Sequence, residues 1–173
     1  MHSFLKRCLL VVAGALAAGC GRGSNPSVGG SQQELPAAAH SSYRLPSEPA
    51  GAQDVKLARR SAKDGEDVVV VGRIGGAANP WIDGLAAFMI ADVSLEPCTD
   101  GCARPWDYCC DLEELPTSKA MVRVVDDQGQ VVATESRELL GVKELQTVVV
   151  RGKAKRDEAG NLTVLADGVF VRP

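Results

Sequence analysis

Four of the chain's six cysteines fall within one short stretch, EPCTDGCARPWDYCCD at residues 96–111. They follow the spacing C-x3-C-x6-C-C and are Cys98, Cys102, Cys109 and Cys110. Thiols at this density support three kinds of chemistry: disulfide bonds, metal ligation by thiolates, and reversible thiol–disulfide exchange. The other two cysteines, Cys8 and Cys20, belong to the N-terminal region.

The disulfide interpretation leaves two pairings open. A bond between the neighbours Cys109 and Cys110 would be strained, because adjacent Cβ vectors diverge on an extended backbone. The remaining pairings are Cys98–Cys109 with Cys102–Cys110, or Cys98–Cys110 with Cys102–Cys109. Each bond closes a short loop and is expected to contribute about 2–3 kcal/mol to stability. An even number of cysteines in an exported chain favours this interpretation, which needs no cofactor.

Metal ligation and thiol redox chemistry by the same four cysteines are the alternatives. Four thiolates can hold zinc, copper or an iron–sulfur cluster. Zinc sites more often repeat C-x2-C or C-x4-C pairs, however, and adjacent cysteines rarely reach one ion in good geometry. The C-x3-C spacing also differs from the C-x-x-C of thioredoxin-like proteins. Residues 92–114 carry seven carboxylates against Arg104 alone, a density that attracts divalent cations, although no EF-hand spacing is present.

Histidine is absent from the region that the sequence assigns to the folded domain. The chain's two histidines are His2 and His40, and both precede residue 51. Ser-His-Asp catalysis, Cys-His catalysis and imidazole metal sites are therefore not expected within one chain. A glycosidase needs only two carboxylates at a fixed separation. The candidates for such a pair are Asp83, Asp92, Asp107 and Asp111. The sequence favours a non-catalytic role over this one.

Three aromatic residues are candidates for contact with a partner. Trp81 and Trp106 each follow a proline, in NPWIDG and RPWDY, and the fixed proline dihedral orients the residue after it. Together with Tyr108 they would form a platform for an envelope protein or a glycan. The alternative is that these rings cap the domain and pack against the cysteines.

The N-terminus predicts export and lipidation. Residues 1–19 combine the basic MHSFLKR with an apolar run, CLLVVAGALAA, as in a secretory signal peptide. The run is too short to span a bilayer as a helix. ALAAGC resembles the lipobox of bacterial lipoproteins, with Ala17 where leucine is usual. This resemblance implies acylation of Cys20 and anchoring of the domain to the cell envelope, outside the cytoplasm.

Cleavage of the leader makes the mature chain more acidic. It removes Lys6 and Arg7 but no acid, so the net charge changes from −3 to −5. Nucleic-acid binders normally carry a basic surplus, so nucleic acid is not an expected partner. The expected partners are a membrane, through the lipid, and an envelope protein or glycan.

The rest of the chain divides into a tether, residues 20–50, and a domain, residues 51–173. The tether is rich in Gly, Ser, Pro and Ala without an apolar period, which indicates disorder. Helical spacing predicts a helix over 51–63 and a second short one over 136–145. Five β-branched or alternating segments predict strands. They are 67–76, 86–95, 119–126, 146–156 and 161–172.

The strand pattern resembles the OB-fold. The resemblance is carried by VVVVGRI, by FMIAD and by the hairpin VVVRGKAKRDEAGNLTVLADGVFV. It implies a mainly β, five-stranded Greek-key barrel with a short N-terminal helix and a short helix between strands three and four. Family members bind oligonucleotides or oligosaccharides on the second and third strands. Here those strands offer Phe88 and Arg123, a weak set for base stacking.

The expected function is therefore a membrane-anchored, extracytoplasmic, non-catalytic binding or structural module of the cell envelope. The alternatives are a metal-binding or thiol-redox protein, and an oligonucleotide- or oligosaccharide-binding OB domain. A basic cluster on the fourth strand is interpreted as a solvated strand face. It comprises Arg151, Lys153, Lys155 and Arg156.

Overall fold

Six β-strands and two short α-helices form in residues 42–99 and 101–173, the part of the chain that the computed structural model describes. In chain order they are β1 (Gln53–Asp54), α1 (Val55–Ser61), β2 (Asp67–Ile74), β3 (Ala87–Ala91), β4 (Lys119–Val124), α2 (Ser136–Leu140), β5 (Thr147–Arg156) and β6 (Leu162–Val171). The predicted signal peptide, Cys20 and the tether up to residue 41 lie outside the described residues.

Strands β2 to β6 close into a barrel. The sheet order is β1-β2-β3-β4-β6-β5, and an additional pairing of β2 with β5 joins the ends. Strand β2 pairs with β5 from Asp67 to Arg73, and its last residues pair with β3. Strands β4 and β6 run parallel, whereas the other barrel neighbours are antiparallel. The prediction of a mainly β, five-stranded OB-like barrel is confirmed.

The barrel core follows from the alternation of apolar and polar residues along the strands. In β5, Val148, Val150 and Ala154 are buried, while Arg151 and Lys153 point outward. The register between β5 and β6 shifts at Arg151/Gly152. A Cβ on Gly152 would collide with the backbone of β6, so glycine permits the close approach that this bulge requires.

The basic face of β5 is balanced by acidic residues. Arg151 lies 2.7 Å from Asp167, and Lys153 lies 2.7 Å from Asp67. Lys155 pairs more loosely with Asp64, and the Arg156 guanidinium donates to the carbonyl of Ala62. The four basic side chains of the predicted cluster therefore have partners within the domain.

The helices start and stop where their capping residues are. The Asp54 carboxylate accepts the amide of Leu57 at 2.6 Å and caps α1, within the predicted 51–63 helix. Helix α2 ends at Gly141, which adopts the left-handed conformation. In the described ranges, no helix has both the length and the apolar character needed to cross a membrane.

The domain begins earlier than residue 51. The amide of Leu45 donates to Val169 of β6, and the Val169 amide donates to Tyr43. Arg172 forms two hydrogen bonds to the Glu48 carboxylate, at 2.7 and 3.0 Å. The last part of the predicted tether, residues 43–48, is therefore held against the barrel.

Candidate metal centre

The four cysteines lie on the long loop 92–118 between β3 and β4. The two ends of this loop meet, because the Asp92 amide donates to the Ser118 carbonyl at 2.7 Å. The buried Asp92 carboxylate accepts the amide of Lys56 at 2.7 Å and that of Ser94 at 2.9 Å. The base of the loop is thereby fixed to the first turn of α1.

The middle of the loop is fixed to the end of β2. The Gly76 amide donates to the Trp106 carbonyl at 2.7 Å. A Cβ on Gly75 would lie 2.5 Å from that same carbonyl oxygen, so only glycine permits the contact. Tyr108 is fully buried beside it. Its ring belongs to a small apolar cluster formed with Ala91, Leu95 and Leu115.

A left-handed residue turns the chain so that Cys109 faces Cys98 and Cys102. Tyr108 has φ 55°. The Cys109 sulfur then lies 3.6 Å from that of Cys98 and 3.5 Å from that of Cys102. Cys110 contributes to lowering the pKa of Cys98, but its sulfur is not among the ligand atoms that all lie within 4.8 Å of one another. Adjacent cysteines were expected to reach one centre poorly, and of the two it is Cys109 that the structure places in the cluster.

Contacts among the thiols shift the pKa values of the cysteines in opposite directions. The Cys110 thiol foremost, and then its amide and the thiols of Cys109 and Cys102, hold the pKa of Cys98 below its ordinary value. Hydrogen bonds to Cys102 and Cys98 raise the pKa of Cys109, and that to Cys98 raises the pKa of Cys110. In the metal-free cluster, Cys98 is the sulfur best prepared to carry negative charge.

The sulfur–sulfur distances match ligands around one ion. Four thiolates at the Zn–S distance of about 2.3 Å form a tetrahedron whose edges are about 3.8 Å. The Cys109 sulfur lies 3.5 Å from that of Cys102 and 3.6 Å from that of Cys98. A disulfide requires about 2.05 Å, and the four cysteines are free thiols in the structure. Neither predicted disulfide pairing is therefore shown.

Asp107 supports the cluster from its edge. One carboxylate oxygen accepts the Cys109 amide at 3.0 Å, and the other lies 3.6 Å from the Arg104 guanidinium. A carboxylate oxygen of Asp107 and the sulfurs of Cys98, Cys102 and Cys109 all lie within 4.8 Å of one another. Asp107 is thus either a ligand or the residue that orients Cys109. Sequence reasoning treated it only as one of several acids.

Acidic side chains surround the exposed side of the cluster. A cleft of about 310 Å³ runs beside it. It is lined by Cys109, Cys110, Asp111, Leu112, Glu113 and Glu114. Both cysteines at this cleft are exposed, whereas Cys98 is buried. A cation therefore has an approach that is electrostatically favourable.

Two of the three aromatic contact candidates are buried. Tyr108 is buried in the loop, and Trp81 is 4% exposed. The Trp81 indole donates to Glu144 at 2.7 Å, and the Arg137 guanidinium stacks 4.8 Å above its ring. Both rings contact the domain itself. Only Trp106 presents part of its surface to solvent, with its indole N–H donating to Ala78.

The strand face on which OB domains bind their ligands is polar and sulfur-rich rather than aromatic. Phe88 is fully buried in the core. A cleft of about 320 Å³ lies over β3 and β4, with Met89, Met121 and Arg123 in its lining. The other candidate acids have separate surroundings, since Asp92 is buried at the loop base and Asp83 is exposed.

Comparison with known proteins identifies no family for this chain. A scan against protein-family models found no match. A search of curated proteins found no match either. The function must therefore be argued from the geometry of the cysteine loop.

Proposed function

We propose that this chain is a lipid-anchored, extracytoplasmic and non-catalytic module whose four-cysteine loop holds a thiophilic metal ion, zinc in the first place. The observation that carries the proposal is the sulfur spacing of 3.5–3.6 Å around Cys109. This spacing suits the edges of a tetrahedral thiolate site and is far longer than a disulfide bond. The metal alternative is therefore favoured over the disulfide crosslinks that the cysteine count first favoured.

The proposed ligands are the four cysteines. Cys98, Cys102 and Cys109 form the core of the set, because their sulfurs lie within 4.8 Å of one another. Cys110, the next residue along the exposed side of the loop, is proposed to move in as the fourth sulfur when the ion binds. Asp107 is assigned to an outer position, because its two oxygens already face the Cys109 amide and Arg104. Zinc ligands are commonly oriented by such outer groups.

A structural role follows from a complete set of protein ligands. Four protein sulfurs leave no position open for water or substrate, in contrast to catalytic zinc sites. In its described residues the loop forms two 3-10 turns, Pro105–Asp107 and Leu115–Thr117, and most of its backbone hydrogen bonds join residues only two to four positions apart. The metal supplies the missing crosslink and keeps Trp106 and the acidic cleft in place for a partner in the envelope. The leader and Cys20 support the extracytoplasmic location.

Metal analysis of the full chain tests this function. We expect the protein, purified with a reductant and without chelator, to contain about one zinc per chain. Cys110→Ser should weaken zinc binding more than Asp107→Asn, which should cost about 10- to 100-fold in affinity as outer-shell changes do. Cys20→Ser is the matched control, because it removes a cysteine outside the loop and should keep the zinc.

Two results would contradict the metal proposal. One is a reduced, chelator-free chain that contains no metal by elemental analysis and binds none on titration with zinc. The other is full zinc affinity in a Cys98→Ser, Cys109→Ser double variant, because a site formed by these sulfurs cannot survive their loss. Elemental analysis also separates zinc from iron, which accepts the same four-sulfur set.

A further inference from the structure

We infer that a basic cleft between α1, β4 and the β5–β6 hairpin binds an acidic glycan, a sugar chain that carries carboxylate groups. The inference goes beyond the proposed function, because the charged residues of this cleft lie outside the cysteine loop and require no metal. It is carried by cations without acidic partners, by hydrogen bonds that fix the walls of the cleft, and by the kinds of side chain that line it.

Two adjoining clefts form the basic cleft, and they share Arg59. One has a volume of about 410 Å³ and lies against α1. It is lined by Lys56, Arg59, Arg60, Thr117 and Gly160. The other is the cleft of about 320 Å³ over β3 and β4, whose lining includes Arg59, Lys119 and Arg123. Each volume lies in the range of ligand pockets, so the two together have room for several linked sugars.

The basic cleft is positively charged although the chain as a whole is acidic. Its described lining contains five cations, Lys56, Arg59, Arg60, Lys119 and Arg123, and the single carboxylate of Asp157. That carboxylate accepts the backbone amide and the side-chain amide of Asn161, each at 2.8 Å. A chain with a net charge of −3 therefore concentrates positive charge at one place, which attracts anions locally.

Three of these cations have no acidic partner. Arg60, Lys119 and Arg123 form no ion pair with a carboxylate in residues 42–99 and 101–173. The basic face of β5 differs, since Arg151 and Lys153 each lie 2.7 Å from a carboxylate. The cations of the basic cleft keep their N–H donors for a ligand, and arginine binds a carboxylate through two parallel N–H groups.

Hydrogen bonds hold the walls of the basic cleft together. Arg59 donates to the Lys119 carbonyl at 2.9 Å, which joins α1 to β4. The Arg156 guanidinium donates to the carbonyls of Arg59 and Gly160, which joins the end of α1 to the tip of the hairpin. These contacts are internal to the domain. The cleft is therefore preorganised, and binding costs less conformational entropy.

The side chains of the basic cleft favour a sugar chain over a single-stranded nucleic acid. Proteins that bind single strands stack the bases on aromatic rings. Among the described residues, neither cleft has an aromatic side chain in its lining. Thr163 and Asn161 lie beside the cations instead. Hydroxyl and amide groups of this kind can hydrogen-bond to sugar hydroxyls.

The sheet disfavours an acidic peptide as the ligand. Extended peptides commonly bind sheets by adding a strand at an open edge. Strand β4 pairs with β3 over Lys119–Arg123 and with β6 over Met121–Val124. From Met121 onward it is therefore paired on both sides. A peptide on this face would lack main-chain hydrogen bonds to the strand.

Binding of a polyuronate to the full chain tests the inference. The probe is a fluorescently labelled polygalacturonate oligomer, and its anisotropy reports binding. We expect saturable binding that weakens as salt is added, because salt screens exposed charges. The double variant Arg60→Gln, Arg123→Gln should bind the probe about tenfold more weakly, as expected for the loss of two exposed ion pairs.

The double variant Arg151→Gln, Lys153→Gln is the matched control. It removes the same charge from the face of β5, where both cations have acidic partners. It should bind the probe as the wild type does. All four substituted side chains are exposed, so both variants are expected to fold, which circular dichroism checks.

Three outcomes would overturn the inference. One is the absence of polyuronate binding at low salt. Another is an equal loss of affinity in the two double variants, because attraction by overall charge would then explain the binding. The third is an equal or higher affinity for oligothymidylate or polyglutamate, which would assign the cleft to nucleic acid or to an acidic peptide. Because none of these measurements involves zinc, their failure would leave the metal proposal standing.

Discussion

At the scale of single residues, Tyr108 and Gly75 determine whether the cysteines meet. The left-handed backbone of Tyr108 costs about 1–2 kcal/mol for a residue with a Cβ, so the surrounding contacts must hold it. They do so by burying its ring and by placing the Trp106 carbonyl against Gly75. Strain of this kind, next to three convergent thiols, is typical of a functional site.

Replacing Gly75 with alanine is expected to displace the loop. The new Cβ would lie 2.5 Å from the Trp106 carbonyl oxygen and 3.0 Å from the Tyr108 ring. We expect a loss of about 1–3 kcal/mol in unfolding free energy from this overpacking, measured by urea denaturation. Zinc affinity should fall in the same variant, because Tyr108 orients Cys109.

Gly84→Ala is the control for this substitution. Gly84 also has positive φ, but a Cβ there would meet no atom within 4 Å. It carries the conformational cost without the collision. Equal losses of stability and unchanged zinc affinity in both variants would show that the Gly75 contact does not position the loop.

At the scale of elements, α1 and the cysteine loop stabilise each other through Asp92. The first backbone amides of a helix have no hydrogen-bond partner within the helix. The Asp92 carboxylate, which belongs to the loop, accepts the Lys56 amide. The Lys56 ammonium reaches back to Glu114 at 2.7 Å and to Ser94 at 2.9 Å. A short helix and a loop with little secondary structure thus share one network.

Asp92 is expected to make stability depend on pH. Burial raises the pKa of its carboxyl, but the amides of Lys56 and Ser94, the Ser94 hydroxyl and the Lys56 charge outweigh burial and lower it overall. Because the pKa of Asp92 is lower in the folded protein, its carboxylate stabilises the fold at pH values above its pKa in the unfolded chain, about 3.9. That stability is lost as the pH falls through the pKa of the folded protein. Asp92→Asn should lower the free energy of unfolding by about 1–3 kcal/mol at pH 7, because the side-chain NH2 of the asparagine would face a backbone N–H that now donates to a carboxylate oxygen.

The difference in unfolding free energy between wild type and Asp92→Asn should shrink as pH falls below about 4, where the Asp92 carboxyl becomes protonated. Denaturant unfolding across that pH range measures it. Asp83→Asn, at an exposed acid outside this network, is the control and should match the wild type throughout. A constant difference between wild type and Asp92→Asn at every pH would show that ionised Asp92 is not what holds the helix to the loop.

At the scale of the whole molecule, the sequence predicted the barrel better than the site. The β-branched runs and the hairpin around DEAG define the strands by local pattern, so β2 to β6 fall within their predicted segments. The site depends on contacts between distant residues. The burial of Trp81 requires Glu144 and Arg137, and the meeting of the sulfurs requires the turn at Tyr108. The spacing of residues along the sequence does not predict these contacts.

The location of the whole molecule depends on Cys20 in the proposal, and Cys20→Ser tests it. Acyl chains bind membranes by burying methylenes, at about 0.8 kcal/mol each, and stable anchoring needs more than one chain. The mature chain carries a net charge of −5, so anionic lipid would repel rather than retain it. We expect the wild type in the membrane fraction, released by detergent but not by salt, and Cys20→Ser in the soluble fraction. Cys8→Ser, within the predicted leader, should stay with the membrane, and retention of Cys20→Ser there would contradict lipid anchoring.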